Sequence, residues 1–312
     1  MTKAAAQRWS SVVALAGGVG GARLVDGLDR VLPEGALSIV VNTGDDFEHW
    51  GLRISPDLDT IMYTLAGMAP IERGWGIEGD SFEVFEETKK RGGDCWFQLG
   101  DRDLVTHLHR TQALRAGQSL TRVTRELCEQ LGVTRAILPM SDQPSPTKVT
   151  TQDHRTLAFQ DWLVKERAVA PVAAISLGNP ALPSPEVIET LKQAELLVLC
   201  PSNPYVSIDP ILRLEGLKQA IGSTPIVAVS PIVGRQAVKG PLASMIPALE
   251  GREASSRAIA EHYGELVSGM IVHPGDAFEA SFPILETNIL LGDIKARTVL
   301  ATELLQFSRV LR

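Results

Sequence analysis

Cysteine is scarce in this chain, and the few cysteines form no recognisable pattern. The 312 residues contain three, Cys95, Cys128 and Cys200, and no two of them have the Cys-x-x-Cys spacing. An odd number of widely spaced cysteines argues against a disulfide framework and against a cysteine-ligated zinc site. We therefore expect a protein of the reducing cytoplasm.

Long apolar runs and an excess of basic residues are missing as well. No stretch approaches the roughly 18 apolar residues of a membrane-spanning helix. The apolar run at residues 12–16 passes directly into a glycine cluster, which favours a strand over a signal peptide. Phosphate backbones are bound by clustered Lys and Arg, so the formal net charge of −7 argues against nucleic-acid binding. The expected partners are small molecules, with no nucleic acid and no membrane.

Short aliphatic runs alternate with helical patterns along most of the chain, which is typical of a mostly parallel sheet. The predicted strands cover residues 12–16, 37–41, 136–138, 196–199, 226–229 and 270–272. The gap between the second and third runs is much longer than one crossover helix needs. We predict a single Rossmann-like α/β domain over residues 1–312, with a helical insertion at approximately residues 55–133 after the second strand. The helix candidates cover residues 56–65, 82–90, 103–115, 121–131 and 296–307.

A glycine-rich loop follows the first predicted strand and begins a helix. Backbone N–H groups at such a helix N-terminus can face an anion. No Gly-Lys-Ser/Thr ends the loop, so it is not a Walker loop, and Arg23 stands where a dinucleotide fingerprint needs its third glycine or alanine. An arginine in the first helical turn suits a phosphate, although a plain strand–helix turn is the alternative interpretation. The residues predicted to bind phosphate or nucleotide are Gly17, Gly18, Gly20, Gly21 and Arg23.

Acidic residues cluster after the second predicted strand. Asp45 and Asp46 follow Asn42-Thr43-Gly44, and Asp57 and Asp59 begin the next predicted helix, which Ser55 caps. The alternative interpretation is that Asp57 only complements the helix dipole, which is worth about 0.3–1 kcal/mol, and that Asp45 and Asp46 form a solvated turn. Asp59, turned by about 200° from Asp57, is not needed for capping. Together the acids can supply the oxygen ligands that Mg²⁺ prefers beside a phosphate.

Polar loops with few large side chains follow the other predicted strands. In an open parallel sheet, ligands bind outside the carboxyl ends of the strands. We therefore predict one crevice along these ends, with a purine base or ribose near Ser202, Asn203 and Ser207. The further wall residues are Asn42, Ser141, Ser230 and Gly234.

Two more segments are open to two interpretations. Asp103, His107 and Arg110 share one face of a predicted helix, which is most often a solvated surface, with substrate contact as the alternative. Phe159-Gln160-Asp161-Trp162 can stack a flat ring, but closely spaced aromatic residues more often pack a core. We favour the core for this second segment.

Taken together and in order, these segments resemble the 2-phospho-L-lactate transferase family of coenzyme F-420 biosynthesis. The resemblance covers nearly the whole chain, and although each segment alone is a weak signal, the segments together in this order are specific. The matching segments are the glycine loop, 42–46, 55–60 with 63–65, 99–103 with Thr106, His107 and Arg110, 138–139 with 141–142, 201–204 with 207–208, and 230–232 with Gly234.

The resemblance implies a Mg²⁺-dependent enzyme with a Rossmann-like core, and a homodimer. Such an enzyme would transfer a lactyl-phosphate, or an enolpyruvyl-phosphate, from a guanosine diphosphate donor to the ribityl hydroxyl of the deazaflavin Fo, releasing GMP. Asp45 and Asp57 would hold the metal, and Asp59 would contact the Fo hydroxyls. Asp59 and Asp45 are the implied catalytic residues, and the loops from Gly17, Ser202 and Ser230 would hold the nucleotide. Val19, where many members have threonine, leaves the choice of donor open.

Two other functions fit part of the sequence. The chain also resembles the related gluconeogenesis-factor branch, whose members look like the same fold used by a regulatory protein that binds a nucleotide sugar without known turnover. The segment 100–103 and the pair Asp57 and Asp59 favour the transferase. An NAD-dependent oxidoreductase is disfavoured by Arg23.

Overall fold

A parallel sheet of seven strands forms the centre of the protein, and a computed structural model describes residues 9–311. Smaller antiparallel sheets accompany it. In chain order the strands are β1 (Val12–Ala16), β2 (Leu37–Val41), β3 (Phe47–His49), β4 (Leu52–Ile54), β5 (Ala136–Pro139), β6 (Thr147–Thr151), β7 (Thr156–Ala158), β8 (Val172–Leu177), β9 (Leu196–Leu199), β10 (Ile226–Val229), β11 (Ile232–Val233), β12 (Gln236–Ala237), β13 (Gly269–Val272) and β14 (Ile284–Glu286).

The strand order of the large sheet is β5-β2-β1-β9-β10-β13-β14, and every neighbouring pair is parallel. The order therefore reverses between β1 and β9, as in a doubly wound Rossmann sheet. The predicted α/β fold class is confirmed, and each of the six predicted strands is present to within one residue. β14, at the edge of the sheet, was not predicted from the sequence.

The central strands are apolar along their whole length because helices cover both faces of the sheet. All residues of β1, β9 and β10 are buried. A strand buried on both faces has no polar alternation, which is why these runs read as continuous aliphatic segments.

Eleven α-helices are present in the described part of the chain. Four of them, α2 to α5, lie between β2 and β5, where the helical insertion is predicted; the division into domains stays a prediction. No helix between residues 9 and 311 combines the length and the apolar character that a bilayer crossing requires. The helices are α1 (Gly18–Val31), α2 (Pro56–Leu65), α3 (Glu83–Lys90), α4 (Asp103–Arg115), α5 (Leu120–Gln130), α6 (Pro185–Lys192), α7 (Asp209–Leu212), α8 (Leu217–Ile221), α9 (Leu242–Glu250), α10 (Ser256–Tyr263) and α11 (Ile294–Phe307).

The antiparallel parts of the fold were not predicted from the sequence. β7, β6 and β8 form a three-stranded sheet, and β3–β4 and β11–β12 form two hairpins. β6 is rich in threonine and half exposed, so it lacks the aliphatic signal of the central strands. Two π-helical turns, Asp161–Lys165 and Pro204–Ile208, follow β7 and β9 respectively.

His262 lies between two carboxylates and joins three helices. Its Nε2 is 3.0 Å from each carboxylate oxygen of Asp209, and its Nδ1 is 3.1 Å from Oε1 of Glu250. Tyr205, in the turn after β9, donates its hydroxyl to the same Glu250 oxygen at 2.7 Å. Burial lowers the pKa of His262, but the hydrogen bonds and charges of Asp209 and Glu250 outweigh burial and raise it above the ordinary value.

The stability contributed by His262 is expected to fall as the pH rises. A pKa that is raised by folding stabilises the native state fully below the unfolded value of about 6.5, and that contribution is lost as the pH passes the folded pKa. Urea unfolding of the wild type and of His262→Gln should therefore differ most near pH 6 and least near pH 9. A difference in the free energy of unfolding that stays constant across this range would contradict a charged interaction of His262 with Asp209 and Glu250.

Candidate active site

A cavity of about 370 Å³ lies outside the carboxyl ends of β1 and β9, where the strand order reverses. This main cavity receives the glycine loop after β1 and the loop after β9. The structure brings together here many of the residues predicted for the site. Those that line the main cavity are Gly17, Gly18, Gly20, Arg23, Asp45, Asp57, Ser202, Asn203 and Ser207.

The N-terminus of α1 points into the main cavity. Gly17 occupies the N-cap position and has no side chain to cap the helix. The hydroxyl of Ser202 accepts from Gly17 N at 3.1 Å and donates to Gly17 O at 2.8 Å, while Gly18 N donates to Asp57 Oδ1 at 2.7 Å. The N–H groups of the first helical turn have no intrahelical partners, so α1 can bind an anion at this end.

Gly20 is needed because the glycine loop closely approaches the loop after β9. A Cβ atom at Gly20 would lie 2.4 Å from the backbone oxygen of Pro201. Gly20→Ala is therefore expected to push the two loops apart and to raise the KM for a phosphate-bearing donor by roughly tenfold to a hundredfold. Steady-state kinetics would measure this change. The control is Gly292→Ala, because a Cβ at Gly292 meets nothing within 4 Å, and equal KM values for the two variants would contradict the requirement.

Asp45 and Asp57 form a buried pair of carboxylates in the main cavity. Burial raises the pKa of Asp45 well above its ordinary value, and the charge of Asp57 raises it further against an opposing effect of Asn42. Burial also raises the pKa of Asp57 to about 6, although hydrogen bonds from Asn42 and Gly18 oppose it. Each oxygen of Asp57 accepts one hydrogen bond, whereas the buried Oδ1 of Asp45 has no partner among the described residues. No Lys, Arg or His of residues 9–311 lies within 4.0 Å of either carboxylate.

Asp46, the next residue, faces a second cavity of about 200 Å³. Ser55 is the N-cap residue of α2 as predicted, but its hydroxyl donates to Asp46 Oδ2 at 2.7 Å and does not cap the helix. Burial raises the pKa of Asp46 to about 7, against the effects of Ser55, Arg110 and Arg53. Ser141, a predicted wall residue, lines this second cavity and not the main one.

Asp59 is held by Arg110 in a buried ion pair. Nη2 of Arg110 contacts Oδ1 of Asp59, and Nη1 donates to Oδ2 at 3.1 Å. Nδ1 of His107 lies 3.7 Å from Asp59 Oδ2, and its Nε2 lies 3.2 Å from Oδ1 of Asp103. The charged face of α4 is thus buried and not solvated, since His107 and Arg110 are each 1% exposed.

The predicted site residues therefore form two groups and not one. Asp59, Asp103 and His107 belong to the buried Arg110 network and do not line the main cavity. Four further predicted residues do not line the main cavity either. Asn42 donates to Asp57 Oδ2 at 2.9 Å, and a Cβ at Gly21 would lie 2.7 Å from Ser202 Oγ. Ser230 Oγ lies 2.8 Å from Ser256 Oγ. Gly234 N donates to Asp276 at 2.8 Å.

Some residues of the main cavity were missed by sequence reasoning. Lys239 lies at its rim after the β11–β12 hairpin and donates to the backbone oxygen of Arg73 at 2.6 Å. Burial lowers the pKa of Lys239, and the charge of Arg23 lowers it further, so the two cations lie near one another. Phe159 and Gln160 also line the cavity, although the sequence favours core packing over ring stacking for their segment. Lys239 belongs to no sequence motif, and it reaches the cavity only because the short β11–β12 hairpin folds this part of the chain against it.

Comparison with known proteins gives sequence matches over most of the chain. A family model described as 2-phospho-L-lactate transferase CofD matches residues 12–282. A phosphoenolpyruvate transferase of Streptomyces griseus is 39% identical, covering 96% of this chain and 99% of its own. One from Thermobifida fusca is 41% identical, covering 85% and 87% respectively. A 2-phospho-L-lactate transferase of Methanosarcina mazei is 38% identical, covering 85% and 88%.

Among solved structures, a protein of the UPF0052 family from Bacillus halodurans has a similar fold. The TM-score is 0.57 at 18% sequence identity, and the match covers 93% of this chain and 90% of that one. At this identity the likeness concerns the fold alone.

Proposed function

Because this chain belongs to the 2-phospho-L-lactate transferase (CofD) family, we propose that it uses a guanosine diphosphate donor and the deazaflavin Fo as acceptor. The transferred group is a phosphate bearing a lactyl or an enolpyruvyl unit, the attacking group is the ribityl hydroxyl of Fo, and GMP is released. The bacterial relatives named phosphoenolpyruvate transferase favour the enolpyruvyl donor. The observation that supports the proposal best is the helix N-terminus that shares one cavity with two buried carboxylates.

Mg²⁺ fits the donor set at Asp45 and Asp57. The buried Oδ1 of Asp45 has no partner among the described residues, and burial and the charge of Asp57 both raise the pKa of Asp45, so a cation beside the pair would stabilise the ionised form. No group of three or more His, Cys, Asp or Glu residues in the described chain could hold a metal. One or two carboxylates completed by phosphate oxygens and water are the usual Mg²⁺ environment. When bound, the ion would neutralise charge on the diphosphate oxygens.

The proposed reaction is an in-line displacement at the outer phosphorus of the donor. The acceptor oxygen forms a bond to that phosphorus while the bond to the oxygen bridging the two phosphates breaks, and GMP leaves with the bridging oxygen. Such reactions depend mainly on positioning and on charge neutralisation. The amides of the first turn of α1 and the guanidinium of Arg23 would hold the diphosphate.

The acceptor is proposed to approach from the second cavity. Asp45 and Asp46 are adjacent in the chain but line different cavities, so the loop that carries them lies between the proposed donor site and the proposed acceptor site. Ser141 and Arg53 are polar groups of the second cavity that suit a hydroxylated chain. The family resemblance also implies that Asp59 orients the hydroxyl and receives its proton, and we keep this role as a proposal. Asp59 itself is buried, lines neither cavity and pairs with Arg110 through both of its oxygens.

The test is a transfer assay with the purified protein, Fo, Mg²⁺ and either guanylated donor. GMP and the phosphodiester product should form in equal amounts. Binding of the donor without release of GMP would contradict the transferase and support the alternative of a nucleotide-sugar-binding regulatory protein. The homodimer and the cytoplasmic location also remain proposals, and light scattering would test the first.

A further inference from the structure

Gln160 is a buried polar residue whose side chain the protein leaves without a partner. It is 7% exposed and lines the main cavity. Within residues 9–311 no group forms a hydrogen bond with its carboxamide. A carboxamide has two donor hydrogens and an acceptor oxygen, and buried groups of this kind are nearly always paired. The partner of the carboxamide is therefore a molecule in the cavity, either water or a bound ligand.

The backbone around Gln160 holds the side chain in place. Gln160 directly precedes the π-helical turn Asp161–Lys165, a kind of turn that is frequent at functional sites. In that turn Trp162 is 1% exposed, and its Nε1 donates to the backbone oxygen of Ala170 at 2.8 Å. The ring of Phe159 packs against Trp162 with centroids 6.0 Å apart. The aromatic residues thus pack a core, as the sequence favours, and position the amide between them at the cavity.

The cavity wall beside Gln160 is apolar. Phe159, Leu163 and Leu242 line it together with Gln160. A wall of this composition suits a flat ring with apolar faces and a polar edge, since ligand sites combine apolar lining with a few placed polar groups. A phosphate or a sugar would leave these side chains in contact with polar atoms.

We propose that Gln160 is a specificity-determining residue that hydrogen-bonds the polar edge of the donor's nucleobase. The proposal rests on the proposed function, in which the donor is a guanosine diphosphate. Guanine presents a carbonyl oxygen beside a ring N–H, and the carboxamide can donate to the first and accept from the second. The base would then lie near Phe159 and the diphosphate at the N-terminus of α1.

The experiment compares nucleotide binding by the wild type, Gln160→Leu and a control, Gln219→Leu, which replaces an exposed glutamine on α8. Isothermal titration with GDP, ribose 5-phosphate and pyrophosphate measures the three dissociation constants. Gln160→Leu should weaken GDP binding about tenfold, because a lost hydrogen bond leaves the base edge unpaired. Its binding of ribose 5-phosphate and pyrophosphate should match that of the wild type, and its melting temperature should be unchanged or higher.

The outcomes separate this proposal from the proposed function. GDP binding within twofold of the wild type, or equal weakening of ribose 5-phosphate or pyrophosphate, would overturn the base contact. A wild type that ignores GDP but binds ADP or UDP in a Gln160-dependent way would support the base contact and overturn the guanosine donor. A wild type that binds none of these nucleotides would overturn both.

Discussion

Replacing Asp45 by asparagine is expected to lower the rate of group transfer by a factor of about 10³, as loss of one charge-stabilising group in an active site typically does. The buried Oδ1 of Asp45 has no hydrogen-bond partner among the described residues, whereas each oxygen of Asp57 accepts one hydrogen bond, so Asp45 is the acid better placed to bind a cation. Asparagine keeps the shape of the side chain and removes its charge. The assay is GMP release at saturating donor, acceptor and Mg²⁺.

The same variant should be at least as stable as the wild type. Burial and the charge of Asp57 raise the pKa of Asp45, so its ionised form opposes folding at neutral pH. Asp45→Asn removes this cost, and its melting temperature near pH 7.5 should therefore stay level or rise. The control Asp94→Asn removes an exposed carboxylate that is 65% accessible and should keep full activity. Turnover of Asp45→Asn above a tenth of the wild-type rate would refute its role in holding the metal.

Replacing Arg110 by methionine is expected to lower the free energy of unfolding by about 3–5 kcal/mol, because it leaves the carboxylate of Asp59 buried and unpaired. Arg110 is 1% exposed, and both oxygens of Asp59 contact its guanidinium. Asp59→Asn should also be destabilising, since it leaves the guanidinium without its carboxylate. The double variant should lose less than the sum of the two single variants, which is the mark of a direct interaction.

Activity measured well below the unfolding midpoint distinguishes a structural role of Asp59 from a catalytic one. If Asp59 receives the hydroxyl proton, Asp59→Asn loses turnover by orders of magnitude even where it is fully folded. Arg125→Met, which removes an exposed arginine with one contact to Glu186 at 3.4 Å, serves as the control. A folded Asp59→Asn with near-normal turnover would limit Asp59 to holding Arg110, and additive effects in the double variant would argue against the buried pair.

The central sheet could be predicted because its strands are continuous aliphatic runs. β1, β9 and β10 are buried on both faces, and burial of this kind selects the aliphatic runs that the sequence shows. The antiparallel strands could not be predicted, since β6 carries polar residues on a half-exposed surface. Their stability comes from neighbours that are distant in the chain, which a local pattern does not record.

The candidate site was predictable in its residues and not in its grouping. Two positions along a helix rotate a side chain by about 200°, so Asp57 and Asp59 must face different neighbours. The structure turns Asp57 toward Gly18 and Asp59 toward Arg110. A single ligand set for these two acids is therefore excluded by helix geometry, although Asp45 and Asp57 do meet. Lys239 reaches the main cavity through a hairpin, for which the sequence offers no periodic signal. Gln160 reaches it from a segment for which the sequence favours core packing.

The length of the segment between Gly44 and Ser55 determines where the acids of this loop lie. Gly44 accepts a hydrogen bond from Thr147 N at 2.8 Å, and a Cβ at Gly44 would lie 2.6 Å from Thr147 Oγ1, so the backbone just before the two acids is fixed in place. A deletion or insertion of one residue between this point and Ser55 would change the length of backbone that joins Gly44 to the N-terminus of α2, and would thereby displace the two acids. Natural variation in this segment is therefore expected to proceed by substitution at constant length.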